Sequence, residues 1–244
     1  MGTANNSGVY AFVSYLKILK IKSLNSNLKF KISNSERGMT LIELIVVIFL
    51  IALFSTIIVA NFPVIQRNFA ISRAAYKLAQ DLRSAEDLGL SGVKIKDSQG
   101  NVIQASGYGV YVDVFTSRTI YLIYADVKPS DTTLGNSKYD GNLTSTTLCS
   151  NVNQNTNGTR KIDCIIQIID ISKENPGAML GGSLTGVNGT HTSINFSPPN
   201  PYVTIDGLDS SLLSNGVTIP LTLSSDAKIT RSVNINTSGL IEIK

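Results

Sequence analysis

The stretch that decides the fold runs from Gly38 to Ala60 and reads Gly-Met-Thr-Leu-Ile-Glu-Leu-Ile-Val-Val-Ile-Phe-Leu-Ile-Ala-Leu-Phe-Ser-Thr-Ile-Ile-Val-Ala. One carboxylate, Glu43, lies among 22 uncharged and mostly apolar residues. At about 1.5 Å per residue, a helix of this length spans the roughly 30 Å hydrocarbon core of a bilayer. An acid in such a helix costs about 2 to 3 kcal/mol on insertion, so intramembrane acids usually have a partner or a function. The sequence therefore predicts a membrane-spanning helix whose single acid has a specific role.

The residues around the start of this run form a distinctive junction, Glu36-Arg37-Gly38-Met39-Thr40-Leu41-Ile42-Glu43. This junction resembles the processing site of type IV pilins and of type II secretion pseudopilins. The resemblance implies that a prepilin peptidase cuts between Gly38 and Met39 and methylates the new amine of Met39. It also implies that Glu43 is the carboxylate that guides assembly. Met39 stands where family members most often have Phe, and it is another large apolar residue.

An ordinary secretory signal is the competing interpretation of the apolar run. Such a signal has a short apolar region that is followed by a small-x-small cleavage site. Here the run is of membrane length and the family cut lies before it, so we expect the apolar segment to be kept. Because basic residues stay on the cytoplasmic side, we expect the leader inside and everything after about Phe62 outside. This describes a single-pass protein of the bacterial inner membrane that becomes an extracellular or periplasmic filament after assembly.

Charge is unevenly distributed along the chain. The whole sequence has a formal net charge of +4. Without the leader, 15 bases face 16 acids in a mature chain of 206 residues. A near-neutral chain lacks the basic footprint from which nucleic-acid binding begins, so no nucleic-acid partner is expected. The leader contains six bases and one acid, which are Lys17, Lys20, Lys22, Lys29, Lys31, Arg37 and Glu36.

The helical pattern continues beyond the apolar run, with apolar residues at spacings of three and four in one stripe. We predict a single helix from about Thr40 to Leu90. A bend or local melting is expected near Asn61 to Pro63, because proline lacks an amide donor and clashes with the preceding turn. Gly89 and Gly92 are expected to mark the end of the helix. The stripe consists of Ile71, Ala75, Leu78, Leu82, Ala85 and Leu88.

After Gly92 the sequence changes to β-branched runs separated by Gly, Pro, Asn, Asp and Ser clusters. We expect an antiparallel sheet with one face on the helix stripe and the other in water. The polar segment Lys128 to Lys161 is predicted to be a long surface excursion. The predicted strands are Tyr108 to Phe115, Thr119 to Tyr124, Cys164 to Ile171, Thr192 to Phe196, Tyr202 to Ile205, Val217 to Leu223, Ile229 to Ile235 and Leu240 to Ile243.

The fold class is therefore α+β, a long N-terminal helix packed on an antiparallel head, which is the pilin fold of the family. Parts of the head resemble minor pseudopilins of the H or FimT type, in the segments Arg73 to Arg83, Gly107 to Tyr111, Arg231 to Ile235 and Ser238 to Ile243. We expect a cleaved leader (1–38), a transmembrane and filament-core helix (39–62), its amphipathic continuation (63–90) and an extracytoplasmic β-rich head (91–244).

The two cysteines, Cys149 and Cys164, both lie in the predicted exterior part. An oxidising exterior permits a bridge, and a loop of this size gains about 3 kcal/mol in the chain-entropy model. We predict a disulfide, with two unpaired thiols as the alternative. A zinc site needs more ligands than the three that Cys149, Cys164 and the single His191 can supply. His191 is expected at the start of a strand as an ordinary polar residue.

Asp126, Asp131, Asn136 and Asp140 form a loose set of oxygen donors that could hold a calcium ion, as in some pseudopilins. They lack the spacing of an EF-hand, so a solvated loop is favoured and no metal is assigned. The sequence also has no nucleophile elbow, Cys-His setting, phosphate-cradling glycine loop or supported acid pair. We therefore expect no cofactor and no enzymatic activity.

Three functional hypotheses remain. The first is a filament subunit, either a component of a type IV pilus or a minor pseudopilin of a type II secretion system. The second is a tip, adhesive or DNA-uptake specialisation of the same scaffold, and the third is a membrane-anchored enzyme with an uncleaved helix. The first hypothesis implies partners that are copies of this chain or other pilins, the prepilin peptidase and an assembly platform in the membrane. The choice between a major and a minor subunit stays open, because abundance is not encoded in residues.

Overall fold

The computed structural model describes residues 39–103, 105–128, 135–141, 143–144, 147–151, 163–198, 202–209 and 216–244. The described chain divides into two compact units between Ala52 and Leu53. The leader and the cleavage residue Gly38 lie outside the described residues. The first helix, α1, spans Leu41–Ser91 and contains both the apolar run and the amphipathic stripe.

Helix α1 has nearly the predicted bounds, but its behaviour at Pro63 differs from the prediction. The helix continues through Pro63 without interruption, so the local melting expected near Asn61 to Pro63 is wrong. A proline removes one N–H donor, and the flanking turns of a 51-residue helix keep their own bonds. The side chain of Asn61 additionally donates to the Ile57 carbonyl at 2.9 Å.

The helix ends one residue after the predicted position, and the two glycines near its end have different roles. Gly92 has a φ of 57°, the left-handed conformation that commonly follows a helix. Gly89, also expected to mark the end, lies inside the helix and is buried. A Cβ atom at Gly89 would lie 2.6 Å from the Phe196 carbonyl oxygen. Gly89 therefore permits a close approach between helix and strand and does not stop the helix.

The described part of the head contains eleven strands in three antiparallel sheets. Strands β1 and β2 form a pair, the five-stranded sheet has the order β5-β4-β3-β7-β8, and the four-stranded sheet has the order β11-β10-β9-β6. A second helix, α2, spans Ile171–Glu174. The strands are β1 Ile95–Lys96, β2 Val102–Ile103, β3 Ala105–Asp113, β4 Ile120–Val127, β5 Cys164–Asp170, β6 Ala178–Leu180, β7 His191–Ser197, β8 Tyr202–Ile205, β9 Gly216–Leu223, β10 Thr230–Asn236 and β11 Ile241–Ile243.

All eight predicted strands are present, with ends displaced by at most three residues. His191 begins β7, as predicted. The strands that the sequence did not reveal are β1, β2 and β6, each of which has only two or three residues. Segments this short show no period-2 pattern, and their strand geometry depends on a partner across the chain.

The buried stripe of α1 packs on the inner faces of both larger sheets, which confirms the predicted role of the stripe. The stripe is buried except for Leu88, which is partly buried. Successive strand residues point to opposite faces, so alternate residues of each strand meet the helix. These inner residues include Val110, Val112, Tyr121, Ile123 and Ile194 of the five-stranded sheet and Val217, Ile219, Leu221, Val233 and Ile235 of the four-stranded sheet.

The outer face of the five-stranded sheet is not wet, which corrects the prediction. Tyr111 and Tyr124 on this face are buried against Tyr139, with ring centroids 5.1 and 5.2 Å apart. Leu143 joins the same cluster. The described parts of the segment 128–161 therefore supply a second layer over the sheet, where the sequence suggested a solvated excursion. Isolated apolar residues in a polar segment give no periodic signal, so this layer was not predictable.

Candidate functional site

The candidate assembly site is the first turn of helix α1. Met39 is 64% exposed, and the hydroxyl of Thr40 accepts a hydrogen bond from the Glu43 N–H at 3.3 Å. The Thr40 carbonyl accepts from the Leu44 N–H at 3.2 Å. Thr-x-x-Glu has the spacing of a helix capping box, and a carboxylate is favourable at the positive end of the helix dipole. The local sequence therefore starts the helix at this junction and places Glu43 in its first turn.

Thr40 is a site residue to which sequence reasoning gave no role. Its signal was available, since a Thr three residues before a Glu at the start of an apolar run is the pattern of an N-terminal cap. The cap fixes where the helical hydrogen bonding begins, so Met39 precedes the helix and Glu43 lies in its first turn.

The helix surface that follows this turn is apolar and exposed. Every residue from Leu41 to Phe69 is exposed, and the most apolar 18-residue window has a mean hydropathy of 3.0 with none of it buried. By length and composition this helix could cross a membrane. Large exposed apolar surfaces mark contacts with lipid or with other proteins. This apolar helix surface is suited to contact with a bilayer or with a bundle of similar helices.

The four oxygen donors considered for calcium do not form one site among the described residues. Asp131 lies outside them. Asp126 Oδ2 accepts from the Ser137 N–H at 2.9 Å, and Asp140 Oδ1 accepts from the Asn136 amide at 2.7 Å. In the part of the chain that the structure describes, no group of three or more His, Cys, Asp or Glu residues could hold a metal ion. These oxygens instead bind the segment 135–141 to the sheet and to itself.

Asp163, which the sequence did not single out, is central to the same arrangement. Its Oδ1 accepts from the Val127 N–H and its Oδ2 from the Asp140 N–H, both at 2.9 Å. Burial raises the pKa of Asp163 to about 7 and that of Asp126 to about 6, against the opposing effect of their N–H donors. We call residues 135–141, with Asp126 and Asp163, the carboxylate strap. No local pattern marks Asp163, because its partners are distant in sequence.

A buried polar contact connects α1 with the five-stranded sheet. The Tyr121 hydroxyl donates to Asp81 Oδ2 at 2.5 Å, and the Lys77 ammonium donates to Asp81 Oδ1 at 2.6 Å. Tyr121 is fully buried and Asp81 nearly so. Burial and the hydrogen bond to Asp81 raise the pKa of Tyr121 far above its ordinary value. The hydroxyl therefore stays protonated and acts as the donor.

The predicted disulfide is present. Cys149 and Cys164 are joined with a Cα–Cα distance of 4.9 Å, and both are buried. Cys164 begins β5, and Cys149 begins a 3₁₀ turn, Cys149–Asn151. The bridge anchors that turn to the edge of the five-stranded sheet, a structural role.

Comparison with known proteins supports the interpretation of the junction as a methylation motif. A family model described as the prokaryotic N-terminal methylation motif matches residues 33–59. No curated protein and no solved structure matches the chain significantly. The match contains the proposed cut, Glu43 and most of the apolar run.

A long, N-terminally apolar helix packed on antiparallel sheets makes this an α+β protein with the pilin architecture. The methylation motif at the start of that helix is a second feature that is typical of pilins, besides the architecture. The helix, the sheets and the motif together are consistent with the family of type IV pilins and pseudopilins. The motif supports a processed subunit of the pilin type, and the apolar helix fits membrane anchoring.

Proposed function

We propose that this protein is a structural subunit of a type IV pilus or of a related filament. Prepilin peptidase cuts after Gly38 and methylates Met39, which removes the leader (1–38). The chain is held in the inner membrane by residues 39–62, with its amphipathic continuation (63–90) and head (91–244) outside. It then enters a filament through the assembly platform. The observation that carries this proposal is a single acid in an exposed, membrane-length helix within a methylation motif.

Glu43 supplies the mechanism of assembly. In a bilayer, a new amine at Met39 and a carboxylate at Glu43 attract strongly because little water screens them. When an incoming subunit places its Glu43 against the Met39 amine of a neighbour, the carboxylate is no longer an isolated charge and becomes part of an ion pair. This pairing sets the axial stagger between copies. The apolar helices then bundle, so that their surface stays out of water after leaving the lipid.

A minor pseudopilin of a type II secretion system is the second candidate. The resemblance of the head segments to the H or FimT type favours it. A tip subunit that binds DNA is less well supported, because the mature chain is near neutral. Labelling with an antibody against the head separates the roles, since a major subunit is labelled along the whole filament and a tip subunit only at one end.

The test of the proposal is Glu43→Gln, which removes the charge and keeps the shape of the side chain. The variant is expected to insert in the membrane normally but to enter filaments about tenfold less, because a loss of about 1.4 kcal/mol of pairing is a factor of ten. Sheared filaments and membrane fractions are quantified with the head antibody. Asp87→Asn, an exposed carboxylate on the same helix, is the matched control and is expected to assemble normally.

Mass spectrometry of the mature chain completes this test. The expected mass begins at a methylated Met39. Filament incorporation of Glu43→Gln at the level of the wild type would refute the role of Glu43. A mature protein that still carries its first 38 residues would refute the processing.

A further inference from the structure

A groove lies between about three turns of helix α1 and the end of helix α2. It has a volume of about 570 Å³, and its walls include Pro63, Arg67, Phe69 and Arg73 on one side and Glu174 and Pro176 on the other. All of these residues belong to the compact unit that begins at Leu53. The groove therefore combines two guanidinium groups, one carboxylate and several apolar side chains.

The charges of this groove form no ion pairs with the residues that the structure describes. Within the described residues, no ion pair involves Arg67, Arg73 or Glu174. All three side chains are exposed. The neighbouring Lys173 lies near Asp170, at 3.9 Å, and does not neutralise Glu174. Two cations and one anion thus line the groove and are exposed.

The position of the groove along the helix indicates what it meets. Residues 44–66 contain no charge, a run of 23 residues that ends just before Arg67. Such a run is about 35 Å long at about 1.5 Å per residue, slightly more than the roughly 30 Å hydrocarbon core. Arg67 therefore falls at the outer border of the apolar layer.

The side chain of Arg73 can also reach the membrane border. Six residues separate it from Arg67, a rise of about 9 Å along the helix. Long side chains on a helix lean toward the N-terminus, which here is the membrane side, and arginine can extend its charged end to a membrane interface. The polar headgroup layer adds about 5 to 7 Å to each side of the hydrocarbon core. Both guanidinium groups can therefore reach the headgroups of the outer leaflet.

We propose that this groove binds the headgroup of a phospholipid of the phosphatidylethanolamine type. Arg67 and Arg73 hold the phosphate, which matches the planar fork of donors on each guanidinium. Glu174 accepts from the ammonium, and Pro63 and Phe69 lie against the glycerol and the first acyl carbons. The choline headgroup has no N–H to donate, so it is bound less well. The occupant is a lipid and not a second copy of the chain, because the groove begins where the uncharged run ends.

The experiment uses the full chain in detergent micelles and a short-chain phosphatidylethanolamine, with bound lipid measured by native mass spectrometry. The variant Arg67→Gln/Arg73→Gln is expected to bind about tenfold less lipid. Arg83→Gln, an exposed arginine on the same helix outside the groove, is the control and is expected to bind like the wild type. Glu174→Gln is expected to abolish the preference for phosphatidylethanolamine over phosphatidylcholine. Helical circular dichroism verifies that each variant is folded.

Several results would overturn this assignment. They are equal binding by all variants, equal binding of the two lipids by the wild type, and equally tight binding of inorganic phosphate alone. A change in self-association without a change in lipid binding would mark the groove as a contact between copies. The inference needs only a membrane-spanning helix, and lipid binding is measured without filaments. A failure of the filament proposal is therefore distinguishable from a failure here.

Discussion

At the scale of single residues, surroundings decide what each carboxylate of this chain does. Glu43 lies exposed in the first turn of an apolar helix, where we propose that it pairs with the amine of a neighbouring subunit. Asp81 is buried, but it has an ammonium and a phenol as donors. Asp163 is buried near other acids and accepts only backbone N–H groups from Val127 and Asp140. The same functional group thus serves helix packing at Asp81 and loop attachment at Asp163, and assembly is its proposed role at Glu43.

Asp163 makes the stability of the head depend on pH. Its pKa is raised to about 7 in the folded state, whereas the unfolded chain has the ordinary value. Between about pH 4 and pH 7 the folded state therefore binds more protons, so the free energy of unfolding falls as the pH rises. The fall is on the order of a few kcal/mol, and it stops above about pH 7. Urea unfolding of the full chain in micelles at several pH values measures this slope.

The variant Asp163→Asn is expected to reduce that slope, and the raised pKa of Asp126, about 6, is expected to keep the remaining part of it. The variant also loses one N–H acceptor, so its stability at low pH falls by about 1 to 3 kcal/mol. Asp87→Asn, which removes an exposed carboxylate, is expected to leave the slope unchanged. A wild-type protein that becomes more stable from pH 4 to pH 7, or an unchanged slope in Asp163→Asn, would contradict the assignment.

At the scale of elements, helix α1 changes character along its length. Its residues up to Phe69 are exposed and mostly apolar, and from Ile71 onward one stripe is buried in the core. Asp81 lies within this buried stripe, where a lone charge would be expensive. The hydroxyl of Tyr121 and the ammonium of Lys77 satisfy it and tie the helix to β4. The hydrogen bond between Tyr121 and Asp81 is more directional than apolar contacts between helix and sheet.

Tyr121→Phe tests the tie between helix and sheet. The substitution keeps the ring and removes the donor, so one oxygen of the buried Asp81 loses its partner. We expect the free energy of unfolding to fall by about 1 to 3 kcal/mol, the cost of leaving a buried acceptor unsatisfied. Tyr76→Phe, on the exposed face of the same helix, is expected to change it very little. Equal unfolding midpoints for the two variants in urea would refute the importance of this contact.

At the scale of the whole molecule, one helix stripe serves two sheets, and a further layer covers the outer face of one of them. The carboxylate strap and the disulfide attach that layer to the five-stranded sheet. The bridge links residues fifteen positions apart. Its contribution comes mainly from the restriction of the unfolded chain, about 3 kcal/mol in the chain-entropy model.

Cys149→Ser/Cys164→Ser is therefore expected to lower the free energy of unfolding by about 3 kcal/mol without loss of the helix. The same change is expected when the wild-type protein is treated with a reductant, and the reductant is expected to have no effect on the double variant. Urea unfolding followed by circular dichroism measures all four conditions. Identical midpoints for the oxidised and reduced wild-type protein would count against a stabilising role of the bridge.

The sequence by itself determined the features that are local and periodic. The membrane-length run, the methylation junction, the helix stripe and eight strands each depend on neighbouring residues or on a fixed spacing, and the spacing is visible in the printed chain. The number of cysteines and the predicted exterior placement of Cys149 and Cys164 likewise sufficed to predict their bridge. The capping role of Thr40 was also predictable from a local sequence pattern, although it was missed.

Only the tertiary structure decided which distant residues meet. Asp163 joins Val127 and Asp140, and Tyr139 covers Tyr111 and Tyr124, through contacts that no local pattern encodes. The short strand β6 likewise exists because the distant strand β9 supplies its partner, whereas β1 and β2 pair with each other. Local signals specify where a helix or a strand forms, whereas the burial of one element against another depends on the whole fold. For that reason the sequence determined the elements and the junction, and the fold determined the strap, the second layer and the groove beside Arg67.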